Sequence, residues 1–595
     1  MEAGTVGTPS GTGATTMAGL AALAASSHSD LAAIKRKVGD EWVATTYGEL
    51  GVDVSEVARG LIDLGVEPGE RISILANTRP EWTLANLGIL AAGAASVSIY
   101  QTNSPEECHY VLEHSESSAV FVEDEEQLAK IREVRDQLPA LEHVIVFDGK
   151  TSDEAISLDD LRERGRGREQ SELDERTASV TPDDACVFIY TSGTTGPPKG
   201  VILTHGNYRA MCDMVEERAD AIGPGQTVYL FLPLAHAFAL LIQFVALELG
   251  AEIAYWQKDP QKIIPDLMEV KPTYFPSVPR IFEKLYTLAN ASAEDPEKLK
   301  QAVRVGMKVR QMRERGEEVP AELQQAFDQA DEKLFKNVRM LFGGQVQECV
   351  TGAAPIAPEI LEFFYACGVP IMEGYGMTET STSASVNRAG AYKFGSVGQP
   401  MAGVEAKIAE DGELLLRGAN IFKSYYKNEE ATRETLIDGW LHTGDLGRID
   451  EDGYIFITGR KKDIIITAGG KNITPANIEN GLKQSRWISQ AVVVGDRRPY
   501  LVALITIDPE EIPAFAQEHE LAPEDVLESD AVRAEVQKAV DEVNAKVGRV
   551  EQVKKFAILD HDLSQATGEL TPTLKVKRNV VNEKFADVVE SLYSG

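Results

Sequence analysis

Residues 190–200 read Tyr-Thr-Ser-Gly-Thr-Thr-Gly-Pro-Pro-Lys-Gly, and this stretch constrains the chain more tightly than any other. Two hydroxyl-bearing pairs, Thr191-Ser192 and Thr194-Thr195, alternate with Gly193 and Gly196, and Lys199 follows two prolines. Glycine lets a backbone come close to an anion, while successive N–H groups and hydroxyls supply donors. Lys199 adds a compact positive charge suited to a polyphosphate. The apolar run 185–190 is expected to be a strand delivering the loop, with Val201-Ile202-Leu203 resuming extended structure. A turn that is merely rich in Gly and Thr is the alternative. A Walker A loop is excluded, because Pro198 precedes the lysine and Gly200 follows it, where that pattern needs Gly-Lys-Ser/Thr.

At 595 residues the chain exceeds what one hydrophobic core sustains, so more than one domain is expected. A formal net charge of −34 argues against binding nucleic acid or an anionic membrane through bulk electrostatics. The same acidic field repels anionic substrates, which gives small basic clusters weight. The cysteines, at 108, 186, 212, 349 and 367, form no Cys-x-x-Cys pair and read as free thiols of a reducing compartment. Residues 1–27, rich in Gly, Thr, Ala and Ser, are expected to be a disordered tail. No Lys or Arg precedes their apolar patch, as a secretory signal requires. No apolar run approaches the ~20 residues of a membrane span, and a cytoplasmic protein is expected.

From Tyr47 onward, helical and extended patterns alternate. Leu50, Val54, Val57, Leu61 and Leu64 recur at helical spacing before Gly65. Strands are expected at 71–76, 94–99 and 119–122, with helices at 81–92 and from Pro105, the latter capped by Ser104. This alternation implies an α/β fold with parallel sheets covered by helices on both faces. A second such run starts near Ala185 and passes Gly368, containing at 292–336 a charge-mixed helical stretch read as a surface insertion. Short β-type segments at 395–454 suggest a small β-rich unit. A domain boundary at 460–463 is expected to separate residues 28–459 from a smaller C-terminal α+β domain, 464–595, with strands at 490–494 and 501–507.

Further motifs lie downstream of the loop. Gly374-Tyr375-Gly376-Met377-Thr378-Glu379 suits a turn presenting Tyr375 to a base, with Glu379 as a hard oxygen ligand for Mg2+. By itself it reads better as a core tyrosine and a solvated glutamate. In Thr443-Gly444-Asp445 the Asp is ordinarily a turn former, but a carboxylate can also accept both hydroxyls of a ribose. Gly459-Arg460-Lys461-Lys462-Asp463 is a basic cluster, within which Lys461 is assigned to a solvated hairpin. His236 stands alone in an apolar run, ordinarily the setting of a core residue. Gly352-Ala353-Ala354-Pro355 makes room for a flat ring or for tight packing. Thr571-Pro572-Thr573-Leu574-Lys575-Val576-Lys577-Arg578 suits an extended segment with one polar face.

The glycine-rich loop resembles the phosphate-binding signature of the adenylate-forming superfamily of acyl-CoA synthetases, luciferase-like enzymes and adenylation domains. The other motifs resemble that family's remaining elements, in order, over roughly residues 30–595. The resemblance implies an enzyme that joins a carboxylate to ATP as acyl-AMP, then passes the acyl group to coenzyme A. It implies nucleotide contacts from Thr191, Ser192, Gly193, Thr194, Thr195, Gly196 and Lys199, and from Tyr375, Gly376, Thr378, Asp445 and Arg460. Gly352, Ala353 and Ala354 would line the adenine and acyl pocket, Glu379 would hold Mg2+, and His236 would lie beside the acyl carboxylate. Lys462 would be the hinge, with Gly469, Gly470 and Lys471 reaching the pantetheine channel of CoA.

The family's catalytic lysine usually follows a glycine, replaced here by Leu574. Lys575 aligns best, because Arg578 then keeps its place, and Lys577 is the alternative. The insertion before Phe342 and the C-terminal stretch favour the long-chain fatty acyl-CoA synthetase branch. Fatty acid, ATP and CoA are the implied partners, without nucleic acid. Weak membrane contact stays open, because long-chain substrates partition into lipid, and the oligomeric state is not legible. The rivals are a ligase that loads a carrier protein and a non-catalytic nucleotide- or lipid-binding regulator.

Overall fold

A computed structural model describes residues 11–191, 197–217, 221–291, 296–469, 471–571 and 575–594. Of the expected site residues, Ser192, Gly193, Thr194, Thr195, Gly196 and Gly470 lie outside them.

The alternating segments build two large sheets. The first runs Ser424–Tyr425, Lys199–Thr204, Ala185–Thr191, Ala95–Ile99, Arg71–Leu75, Ala119–Val122, His143–Val146, Ile156–Ser157. From Ala185–Thr191 onward neighbours are parallel, whereas Lys199–Thr204 is antiparallel to both of its neighbours. Ala95–Ile99 and Ala119–Val122 are buried at every position, as strands covered on both faces must be. The helix Pro105–Ser115 starts at a capping box in which the Glu107 amide donates to Ser104 and the Ser104 amide to Glu107.

The second sheet has nine strands, with Ile371–Tyr375, Glu348–Thr351, Tyr274–Ser277 and Thr227–Leu230 parallel at its centre. A five-stranded sheet follows, in which Trp440–Ile449 pairs with Glu413–Arg417 on one side and Ile455–Arg460 on the other. The turn Lys461–Asp463 then leads into a separate core around Ile488–Val494, Leu501–Ile507 and Val553–Ile558, covered by the helix Asp530–Asn544.

Two expectations change. Residues 11–27 are not a disordered tail: Met17–Gly19 forms a turn and Leu20–His28 a helix, with Met17 and Leu20 wholly buried. The small residues that read as low complexity let this helix lie close on Tyr47–Asp63. A Cβ added at Gly51 would stand 2.5 Å from that of Ala25. The inserted segment is also not wholly surface. Its helices Pro296–Glu314 and Ala321–Ala330 bury Val309 and Phe327, and Phe335 follows them into the second sheet's core. Among the described residues no helix is long and apolar enough to cross a membrane, and all five cysteines are buried and free.

Candidate active site

The site forms where the C-terminal ends of the second sheet's strands meet the glycine-rich loop's flanks and the five-stranded sheet. Thr191 and Lys199 face each other across the antiparallel pair that brackets the loop. The edge strand Ser424–Tyr425 lies against Lys199–Thr204, bringing the Tyr425 ring under Lys199, whose Nζ is 4.8 Å from its centroid. The hydroxyl of Tyr425 donates to Glu379 Oε1 at 2.7 Å. Burial, then the Glu379 charge, pushes the Tyr425 phenol well above its ordinary pKa, so it stays a donor.

Glu379 stands in the turn Thr378–Thr380, just after the strand Ile371–Tyr375. The chain then doubles back through Ser381 and Thr382, both with left-handed backbone, φ 50° and 102°. Only glycine fits at 376, because a Cβ there would lie 1.9 Å from the Thr382 carbonyl oxygen. Buried Asn420 holds the returning strand, donating to the carbonyls of Ser383 at 2.8 Å and Thr380 at 3.2 Å. Thr351 pairs with Glu373 in the parallel sheet, which sets Gly352-Ala353-Ala354 beside Gly374. Ala353 adopts φ 69°, a left-handed conformation that costs a residue with a side chain of order 1–3 kcal/mol and is retained chiefly at functional sites.

Asp445 is buried, and both of its oxygens are engaged: Tyr375 donates its hydroxyl at 2.5 Å and Arg460 its Nε at 2.8 Å. Asp445 and Arg460 are direct partners across the Trp440–Ile449 and Ile455–Arg460 strands. Burial first, then Asp445, raises the Tyr375 pKa well above its usual value. The preceding turn is fixed by Glu413, which accepts from the Gly444 amide at 2.7 Å, from Lys461 at 3.0 Å and from His442 at 3.2 Å. Burial alone would raise the Glu413 pKa, but Lys461, Gly444 and His442 together hold it below the ordinary carboxylate value. Lys461 also pairs with Asp411 at 2.6 Å, while Lys462 is exposed in the same turn.

His236 caps the helix Ala237–Leu249 by accepting the Phe238 amide at Nδ1, 3.2 Å. Burial, helped by the Lys575 charge, lowers its pKa to about 4, so the ring is neutral and its proton sits on Nε2. Lys575 comes from the other domain. Thr571 donates its amide to the Lys575 carbonyl at 2.8 Å, Lys575 donates its own to Thr571 Oγ1 at 3.0 Å, and the Lys577 amide closes on Glu569 at 2.7 Å. Lys575 is exposed as a residue, yet its ammonium lies in a crowded cleft within electrostatic reach of Arg460, Asp445 and Glu379. Dehydration, then Arg460, lowers its pKa.

The structure therefore draws Lys199, Tyr375, Glu379, Asp445, Arg460, His236 and Lys575 toward one cleft. Lys577 has no side-chain hydrogen bond or ion pair among the described residues. Gly469 and Lys471 are not brought into the cleft: both are exposed, on a hairpin whose Ala468 amide donates to Arg498 of the same domain. Sequence reasoning missed Tyr425, Asn420 and Glu413. The adjacent tyrosines at 425 and 426 within a polar segment were the one visible signal.

A divalent cation fits this donor set. Glu379 is a buried carboxylate with one oxygen on Tyr425 and the other accepting from no described residue, and Mg2+ ordinarily takes one or two carboxylates beside substrate phosphates. Among the described residues no cluster of three or more His, Cys, Asp or Glu could hold a metal alone.

A family model for AMP-binding enzyme matches residues 22–426, and one for the AMP-binding enzyme C-terminal domain matches 462–595. The long-chain-fatty-acid–CoA ligase FadD15 of Mycobacterium tuberculosis is 38% identical over 580 residues, covering 95% of each chain. The long-chain-fatty-acid–CoA ligase ACSBG2 of Xenopus laevis is 34% identical over 608 residues, 95% of this chain and 82% of that one. Among solved structures, the anthranilate CoA ligase AuaEII in complex with anthranoyl-AMP superposes with a TM-score of 0.73 at 22% identity, covering 97% of this chain and 98% of that one.

Proposed function

The chain belongs to the AMP-binding enzyme family, and from that premise we propose that it activates a long-chain fatty acid with ATP and transfers the acyl group to coenzyme A. The observation that carries the reading is Lys575, which is held on one domain yet lies within electrostatic reach of Glu379 and Asp445 on the other.

The first step joins two anions. A fatty carboxylate oxygen attacks the α-phosphorus of ATP, and the bond to the β-phosphate oxygen breaks, releasing pyrophosphate. Two like charges ~4 Å apart repel by roughly 4 kcal/mol at an effective dielectric of about 20, so rate depends on cations placed where charge gathers. Lys575 meets the incoming carboxylate and the α-phosphate. Lys199 and the adjoining loop receive the departing pyrophosphate. Glu379 would hold Mg2+, which when bound offsets charge on the phosphate oxygens. Neutral His236, with its proton on Nε2, offers a donor to the acyl group without adding a charge. Tyr375 and Arg460 fix Asp445 for the ribose hydroxyls.

In the second step the CoA sulfur attacks the acyl carbonyl carbon, the bond to the AMP phosphate oxygen breaks, and AMP leaves. The hairpin bearing Gly469 and Lys471 serves that step, after the C-terminal domain turns about Lys462.

The test is exchange of labelled pyrophosphate into ATP across acids from acetate to oleate, followed by addition of CoA or of an acyl carrier protein. Exchange with long-chain acids and AMP release with CoA are expected. Release only with the carrier would make the protein a carrier-loading ligase, and no exchange with any acid would leave a nucleotide-binding regulator.

A further inference from the structure

The two domains are also joined by a contact that does not involve Lys575. The helix Pro279–Ala291, on the large domain, presents Arg280 and Lys284 one turn apart. Opposite them, immediately after the strand Leu501–Ile507 of the small domain, stand Asp508 and Glu510. Arg280 pairs with Asp508, and Lys284 with Glu510 at 2.6 Å. The Asp508 carboxylate is only 8% exposed, so its pairing is largely withdrawn from water, whereas Glu510 is 68% exposed. Asp508 also accepts the Glu510 amide at 3.0 Å, which fixes the two acids relative to each other. Glu283, between Arg280 and Lys284, has its pKa raised by burial, against the charges of Arg280 and of Lys483 from the small domain. In a chain of net charge −34, a local basic pair facing two acids is a specific docking contact.

This contact exists in the orientation that brings Lys575 to the cleft and leaves Gly469 and Lys471 exposed. We propose that Arg280 and Lys284, gripping Asp508 and Glu510, are positioning residues: a latch that holds Lys575 in place while acyl-AMP forms and parts before CoA attacks. The inference rests on the two-step reading above. It assigns the balance between the steps to four residues outside the cleft. The half-buried pair carries most of the grip, because a partly desolvated pair resists screening while an exposed one contributes little.

The experiment measures both half-reactions in the same preparations: pyrophosphate–ATP exchange with palmitate, and thioester formation from supplied palmitoyl-AMP and CoA. Arg280→Gln is expected to slow exchange by about tenfold, while thioester formation stays equal or rises. Arg280→Lys, which can still reach Asp508, recovers most of the loss. Lys284→Glu slows exchange by about two- to threefold, and adding Glu510→Lys to it restores the rate. Raising salt from about 0.05 to 0.5 M slows exchange more in the unaltered protein than in Arg280→Gln, whose main charge pair is already gone. An equal fall in both half-reactions, or no rescue by Glu510→Lys, overturns the latch. If the unaltered protein shows no exchange with any fatty acid, the functional reading fails. If it exchanges while every variant matches it, only the latch fails.

Discussion

The ring of Tyr425 joins two groups of opposite charge: its hydroxyl donates to Glu379 at 2.7 Å, and its face lies 4.8 Å from Lys199 Nζ. Carboxylate and ammonium are thereby held near one another without forming an ion pair, and under the proposed function Glu379 keeps an oxygen for a metal and Lys199 its charge for a phosphate. The arrangement places both at the flank of the glycine-rich loop.

Tyr425→Phe keeps the ring and loses the donor, and Tyr425→Leu loses both. A hydrogen bond to a charged group contributes roughly 1.5–3 kcal/mol, so Phe is expected to raise the KM for ATP by about ten- to a hundredfold. Leu raises it further, by the lost contact with Lys199, about 0.5–1 kcal/mol. Steady-state kinetics with ATP varied at fixed Mg2+ checks the order. A Leu variant with an unchanged KM would remove Tyr425 from the site.

Gly376→Ala puts a methyl group against a backbone carbonyl that has nowhere to go. The turn carrying Glu379 must open, at about 1–3 kcal/mol for an overpacked site. AMP binding by calorimetry is expected to weaken by more than tenfold, with a lowered Tm. Unchanged affinity would mean that the turn does not touch the nucleotide.

His205 and His236 are both held neutral by burial, with pKa values of about 4, against an ordinary histidine value near 6.5. Between those values the unfolded chain binds more protons than the folded one. Stability is therefore fully present above pH 6.5 and falls as the pH drops toward 4. His205, 1% exposed, accepts the Met17 amide at 3.2 Å and holds the N-terminal turn. Thermal unfolding between pH 7.5 and 4 is expected to show a shallower acid decline in His205→Asn, whose amide oxygen can accept the same hydrogen bond. An identical decline would contradict this assignment.

The strands that flank the glycine-rich loop and the Ser104 cap were legible because their signals are local: an apolar run, a capping box, a helical period. Tyr375, Glu379, Asp445 and Arg460 could be singled out only through the resemblance of their short motifs to the family's, since by themselves those motifs read as a core tyrosine, a solvated glutamate, a turn former and a surface hairpin. Glu413, Asn420 and Tyr425 could not be named, since what they do depends on partners 29 or more residues away whose approach only the folded sheets determine. The helix Leu20–His28 was misread because Ala and Ser signal low complexity in a sequence but close helix packing in a structure. The Arg280–Asp508 pair, 228 residues apart, leaves no trace in either local sequence.

The central claim is that a lysine carried on the small domain serves the first half-reaction alone. Its most direct test is Lys575→Ala, with acyl-AMP formation and thioester formation from supplied acyl-AMP measured separately. Removing one preorganised charge-stabilising group typically costs about 10²–10³ in rate, and a loss of that size is expected in the first step with the second little changed. Equal losses in both steps, or an intact first step, would contradict the account.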